Sequence, residues 1–155
     1  MKFLVTEESA RLARWLRLFG YDAALMPAEP LPPLICRAFN EQRVVITRNR
    51  RVGTSCLLRI IQLGSNGLDA QLRQLMREVP LPADEERPFS RCDRCNVTLE
   101  PAAKAEVLGA IPPYVAKTKE RFHRCPSCRR VYWAATHCDR IRERLARAQR
   151  GGGDA

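Results

Sequence analysis

Short apolar runs alternate with amphipathic segments over residues 1 to about 80, the rhythm of βα units built on a mostly parallel sheet. Phe3-Leu4-Val5 reads as the first strand. Leu12, Trp15, Leu16 and Phe19 then recur at helical spacing, with Arg11, Arg14 and Arg17 on the other side and Gly20 as the residue that ends the turn. That pattern predicts an amphipathic helix with a basic outer face. Residues 23–26 suit a second strand, residues 34–41 a second helix after the proline-rich stretch 30–33, and Val44-Val45-Ile46 a third, fully buried strand. A fourth strand is expected over residues 57–61, and Leu68, Leu72, Leu75, Met76 and Val79 line one face of a further helix.

The pattern breaks between residues 80 and 88, where prolines and the acids Asp84, Glu85 and Glu86 interrupt regular structure. The expected organisation is an α/β domain over residues 1–80, a linker over 81–88, a second domain over 89–148 and a disordered tail over 149–155. Within the second domain, Val131-Tyr132-Trp133 reads as a strand and residues 138–148 as a helix.

The second domain carries the clearest chemistry. Cys92-x-x-Cys95 and Cys125-x-x-Cys128 are two knuckle turns, each able to aim two sulfurs at one ion. Together they predict a zinc ribbon with a closed, structural four-thiolate site. The competing readings are two disulfides or redox dithiols. Against them stand the absence of a secretory h-region before Thr6-Glu7-Glu8 and of a thioredoxin-like setting for either pair. No segment approaches membrane-spanning length, so a cytoplasmic protein is expected. Seven cysteines, an odd number, agree with a reducing compartment; Cys36, Cys56 and Cys138 then read as free thiols, the first two in apolar surroundings that suggest burial. His137 and Cys138 follow the last strand, but four cysteines already complete the shell.

Charge narrows the class of partner. Lys and Arg number 27 against 17 Asp and Glu, a formal +10, which favours a polyanion such as nucleic acid. Residues 88–155 hold 14 of the basic and 7 of the acidic side chains, so this half carries +7 of the excess. Arg129 and Arg130 crowd the second knuckle, with Phe122, Tyr132 and Trp133 either stacking surfaces for bases or, the favoured reading, the core of the ribbon.

In an open parallel sheet ligands bind beyond the carboxyl ends of the strands, which singles out Thr6-Glu7-Glu8 and Thr47-Arg48-Asn49-Arg50-Arg51. Arg11, Arg14, Arg17, Arg48, Arg50 and Arg51 around that edge are suited to gripping phosphates. A metal-dependent phosphodiesterase would instead need clustered carboxylates there to hold Mg²⁺ or Mn²⁺.

Several motifs together resemble the C-terminal ribonuclease domain family named after the nematode mutator protein Mut-seven. They are Met1-Lys-Phe-Leu-Val5, Arg11-Leu-Ala-Arg-Trp-Leu-Arg17 with Gly20-Tyr21-Asp22, Ile46-Thr-Arg48, Gln71-Leu72, Pro88-Phe-Ser-Arg-Cys92, Ile111-Pro-Pro-Tyr-Val115, and Arg124-Cys-Pro-Ser-Cys128 through Val131-Tyr-Trp133 to His137. The resemblance covers nearly the whole chain and implies a PIN-like α/β domain with flanking helices, metal-dependent RNA cleavage and a bound zinc. Members of that family usually carry Asp where this chain has Thr6 and where it has Asn49. Each carboxylate lost near a divalent ion forfeits roughly 8 kcal/mol of attraction at about 4 Å and an effective dielectric of about 20, before desolvation. The resemblance, so modified, implies a protein that binds single-stranded or structured RNA with cleavage weak or absent. Two alternatives remain: an Mg²⁺- or Mn²⁺-dependent endoribonuclease using Asp22 with Glu7 or Glu8, and a module whose zinc ribbon docks on a protein partner. The three acids also have simpler roles, Glu7 and Glu8 at a helix start and Asp22 in a turn.

Overall fold

In the computed structural model the structure describes residues 1–53, 57–79 and 90–133, together with Glu143 and Ala146. The expected linker, Cys56, His137, Cys138, the helix at 138–148 and the tail lie wholly or almost wholly outside them. The first half places strands β1 (Lys2–Thr6), β2 (Asp22–Met26), β3 (Val44–Thr47) and β4 (Ile60–Gln62) in one parallel sheet of order β2-β1-β3-β4. Helices α1 (Ala10–Leu18), α2 (Leu31–Asn40) and α3 (Leu68–Glu78) flank it. The α/β class read from the hydrophobic rhythm is what the chain adopts.

Strand alternation builds the layers. Phe3 and Val5 of β1 and Ile46 of β3 face one side and pack with Leu12 and Leu16 of α1 and Leu72 and Leu75 of α3. Leu4 and Val45 face the other side, against Leu34 and Ala38 of α2. Because β1 feeds β2 on one side and β2 returns across it to β3 on the other, the strand order reverses between β1 and β3. In such sheets that switch point opens a crevice at the carboxyl edge.

Two element spans and one burial expectation need correction. Helix α2 begins at Leu31 rather than residue 34, because prolines in a first turn lack only an N–H that would have no partner there. Strand β4 is three residues, not five, since only Ile60–Gln62 registers against β3, and Leu57 is exposed. Cys36 is exposed rather than buried. The inward residues of α2 are Leu34 and Ala38, and Cys36 lies two positions from each, on the opposite side of the helix.

The second half holds an antiparallel sheet of β5 (Glu100–Ala102), β6 (Phe122–Arg124) and β7 (Val131–Trp133) in sequence order. Between β5 and β6 the chain inserts α4 (Lys104–Val107), a 3-10 turn and α5 (Pro113–Thr118). Val107, Ile111 and Val115 bury against Phe122 to form a small separate core. Phe122 is thus core, as favoured from sequence. Among the described residues no helix is long and apolar enough to cross a membrane.

Candidate metal centre and the carboxyl edge of the sheet

The two Cys-x-x-Cys segments fold into the same turn, bond for bond. In the first, the Cys92 amide donates to the Val97 carbonyl (2.9 Å), the Asn96 amide to the Cys92 carbonyl (3.0 Å) and the Cys95 amide to the Cys92 sulfur (3.3 Å). In the second, the Cys125 amide donates to Arg130 (2.9 Å), Arg129 to Cys125 (2.9 Å) and Cys128 to the Cys125 sulfur (3.4 Å). Each turn closes through a left-handed residue, Asn96 at φ 64° and Arg129 at φ 62°. The four sulfurs lie within 4.8 Å of one another, with Cys92 and Cys128 Sγ atoms 3.7 Å apart. A tetrahedron with metal–sulfur bonds of about 2.3 Å has edges of about 3.8 Å. The donor set therefore fits a metal ion such as zinc.

The thiols are prepared for that role unequally. Burial alone would raise Cys92, but its hydrogen bonds with the Tyr132 hydroxyl and with the Cys95 and Arg94 amides bring it down to about 7. Burial pushes Cys125 up to about 11. Four sulfurs this close repel as thiolates until a cation neutralises them, so deprotonation and metal binding are linked.

The first knuckle is bolted to the α/β half. Asp93, between the two cysteines and almost wholly buried, receives the Tyr132 hydroxyl (2.7 Å) and Arg14 Nε (2.5 Å), with Arg130 Nη1 at 3.7 Å. Arg17 Nε donates to the Ala23 carbonyl (2.8 Å), and its Nη1 to the carbonyls of Asp93 (3.1 Å) and Arg94 (2.9 Å). The Asn96 side chain accepts from the Ala23 amide (3.0 Å) and donates to Asp22 (2.7 Å). Strand β2 is an edge, and Ala23 presents its amide and carbonyl outward; Asn96 and Arg17 satisfy both, as a neighbouring strand would. The basic outer face expected for α1 is therefore corrected at Arg17, which is only 6% exposed. It follows Ala13 by one turn at the border of the buried stripe, where the ribbon closes over it.

At the carboxyl edge the residues after β1 and β3 converge on one carboxylate. Glu8 Oε1 accepts from Thr6 Oγ1, from Thr47 Oγ1 (3.1 Å) and from the Arg48 amide (2.9 Å). Burial alone would raise this group, yet the three donors hold Glu8 below the usual carboxylate range. Thr6 and Thr47 are fully buried. Asn49 spends its side-chain oxygen on the Arg51 amide (3.0 Å), closing the 3-10 turn Arg50–Val52, and its amide donates to Glu29 (3.3 Å). Arg51 completes the chain on Glu29 at 3.2 Å. Glu29 is the edge acid that sequence reasoning passed over. The rule that selected the segments after β1 and β3 applies equally to the segment after β2.

Asp22 lies elsewhere. It registers with Lys2 at the amino edge, while Thr6 and Met26 mark the carboxyl edge four residues on, roughly 13 Å away along a strand. Its partners are Arg43, which donates to both carboxylate oxygens (2.6 and 3.2 Å), and Asn96; they outweigh burial and hold it below its ordinary range. The structure thus does not bring Asp22 together with Glu7 or Glu8, which follow the opposite end of β1. Among the described residues, the only group of three or more metal-ligating side chains is the four cysteines. Of the predicted phosphate-gripping arginines, Arg14 and Arg17 serve the joint between the halves, and Arg130 approaches Asp93 within the ribbon. Arg11, Arg50 and Arg129 are exposed and Arg48 half-buried, none with an ion pair among the described residues.

A family model described as the Mut7-C RNAse domain matches residues 1–145. No curated protein and no solved structure matches the chain.

Proposed function

Since the chain belongs to the Mut7-C RNAse domain family, we propose that it is an RNA-binding protein whose cleavage activity is weak or absent, with a structural zinc on Cys92, Cys95, Cys125 and Cys128. The observation that carries the reading is the state of the carboxyl edge. At the two positions where family members place Asp, Thr6 is buried and bonded to Glu8, and Asn49 is committed to the Arg51 amide and to Glu29. Glu8 and Glu29 are each held by hydrogen-bond donors, and no third acid joins them within metal-bridging reach among the described residues. The edge does not fit a divalent cation. Arg11, Arg48, Arg50 and Arg129, cations without acidic partners among the described residues, suit phosphates. Zinc, when bound, holds the two knuckles as one fold, and Asp93 and Arg17 pass that order to α1 and β2.

One observation favours a second reading, residual cleavage: Glu8 and Glu29 share the edge and are linked through Thr47 and Asn49. A single experiment separates the readings. The zinc-loaded chain is titrated with a single-stranded RNA at several salt concentrations, and RNA integrity is followed with Mn²⁺ present. Expected are an affinity that falls with salt, by a logarithmic slope of roughly −3 if about four phosphates are contacted, and intact RNA. Manganese-dependent cleavage lost in Glu8→Gln and Glu29→Gln would overturn the proposal in favour of the nuclease. Absence of salt-sensitive RNA binding would leave the ribbon as a protein-docking module.

A further inference from the structure

We propose that the outer face of α5 is a base-stacking platform for single-stranded RNA, Tyr114 carrying a base and Lys117 taking an adjacent phosphate. The inference rests on the RNA-binding reading above and names a contact in the ribbon that is separate from the carboxyl edge. Tyr114 is 68% exposed, one of the most exposed large apolar side chains among the described residues. Its backbone is nevertheless held firmly. Val115 beside it is buried with Val107, Ile111 and Phe122, Pro112 and Pro113 fix the entry to the helix, and Thr118 Oγ1 donates to the Tyr114 carbonyl at 2.8 Å. An exposed ring on a rigid turn gives up little conformational freedom when a base lands on it, which is the requirement for stacking.

The charges beside it point to the same ligand. Residues 103–124 contain two acids, Glu106 and Glu120, and both are matched, Glu120 by Lys104 at 2.7 Å and Glu106 by Arg124 at 3.8 Å. Lys117, Lys119 and Arg121 then stand without a carboxylate partner among the described residues. Lys117 is exposed and lies three positions after Tyr114 on the helix, so their Cβ atoms are neighbours, about 5–6 Å apart. A protein-docking face would want a wide apolar patch depleted in lysine. An exposed ring with an uncompensated cation one helical turn away matches instead the alternation of base and phosphate along a single strand.

The test uses the full zinc-loaded chain and a fluorescently labelled single-stranded polyuridine RNA. Expected are a loss of about tenfold in affinity for Tyr114→Ala with the salt slope unchanged, and retention of affinity in Tyr114→Trp. That variant should also show quenched emission, relative to the wild type, when RNA is added. Lys117→Ala should lower the slope by about 0.7. Wild-type protein that binds RNA while Tyr114→Ala binds it equally well overturns this inference and leaves the RNA-binding reading standing. Wild-type protein that binds no RNA overturns both.

Discussion

Replacing Arg17 by Met should lower the stability of the zinc-loaded protein by about 3 kcal/mol. The guanidinium, 6% exposed, donates to three main-chain carbonyls, Ala23 on the α/β side and Asp93 and Arg94 on the ribbon side. A buried acceptor left without its donor costs about 1–3 kcal/mol, roughly 3–9 kcal/mol for the three carbonyls. Methionine fills the volume, so cavity terms are small; water reaching the exposed Arg94 segment recovers part of the loss, which sets the net near the low end of the sum. Equilibrium urea unfolding of the two proteins measures the difference. Arg17→Lys should recover less than half, because one ammonium on a flexible stem cannot serve carbonyls on two sides at once. The reasoning also requires that chelating the metal destabilise the α/β half less in Arg17→Met than in the wild type, the joint being already cut. An Arg17→Met protein within about 0.5 kcal/mol of the wild type, with full sensitivity to chelation, would refute it.

Chelation of the wild type should increase hydrogen exchange at the Ala23 amide, whose acceptor is the Asn96 side chain of the first knuckle, while leaving β1 and β3 amides protected; unchanged exchange at Ala23 would break the link. Asp22 is held below the ordinary carboxylate range in the folded state, so on the acid side the unfolded chain binds more protons, and the stability it contributes is present above about pH 4 and lost as pH falls further. Asp22→Asn should therefore differ most from the wild type near neutrality and converge with it as the pH falls below the ordinary carboxylate range, a narrowing that thermal melts at several pH values would show or exclude. Arg129 occupies a left-handed conformation that costs a residue with a Cβ about 1 kcal/mol relative to glycine. Arg129→Gly should raise the melting temperature while weakening RNA binding through the lost charge; a lower melting temperature would show that the Arg129 side chain does more than tolerate its turn.

Much of this chain could be read without coordinates. Strand alternation and helical spacing report burial directly, so Phe3, Leu4 and Val5, the Leu12–Leu16 stripe and the four cysteines were legible. The insertion hid more: Val107, Ile111 and Val115 recur every four residues, yet proline and glycine between them obscured two short helices. Where periodicity is local, the residues alone suffice. What they cannot express is which end of a strand a side chain occupies relative to a partner far along the chain. Register put Asp22 at the amino edge and Glu29 beside Asn49 at the carboxyl edge, and closure of the ribbon onto β2 turned Arg14 and Arg17 from surface cations into a joint. Local order along the chain determined the elements and the four cysteines that could hold a metal; the packing of two sheets, which joins atoms more than seventy residues apart, decided which arginines are spent on the joint.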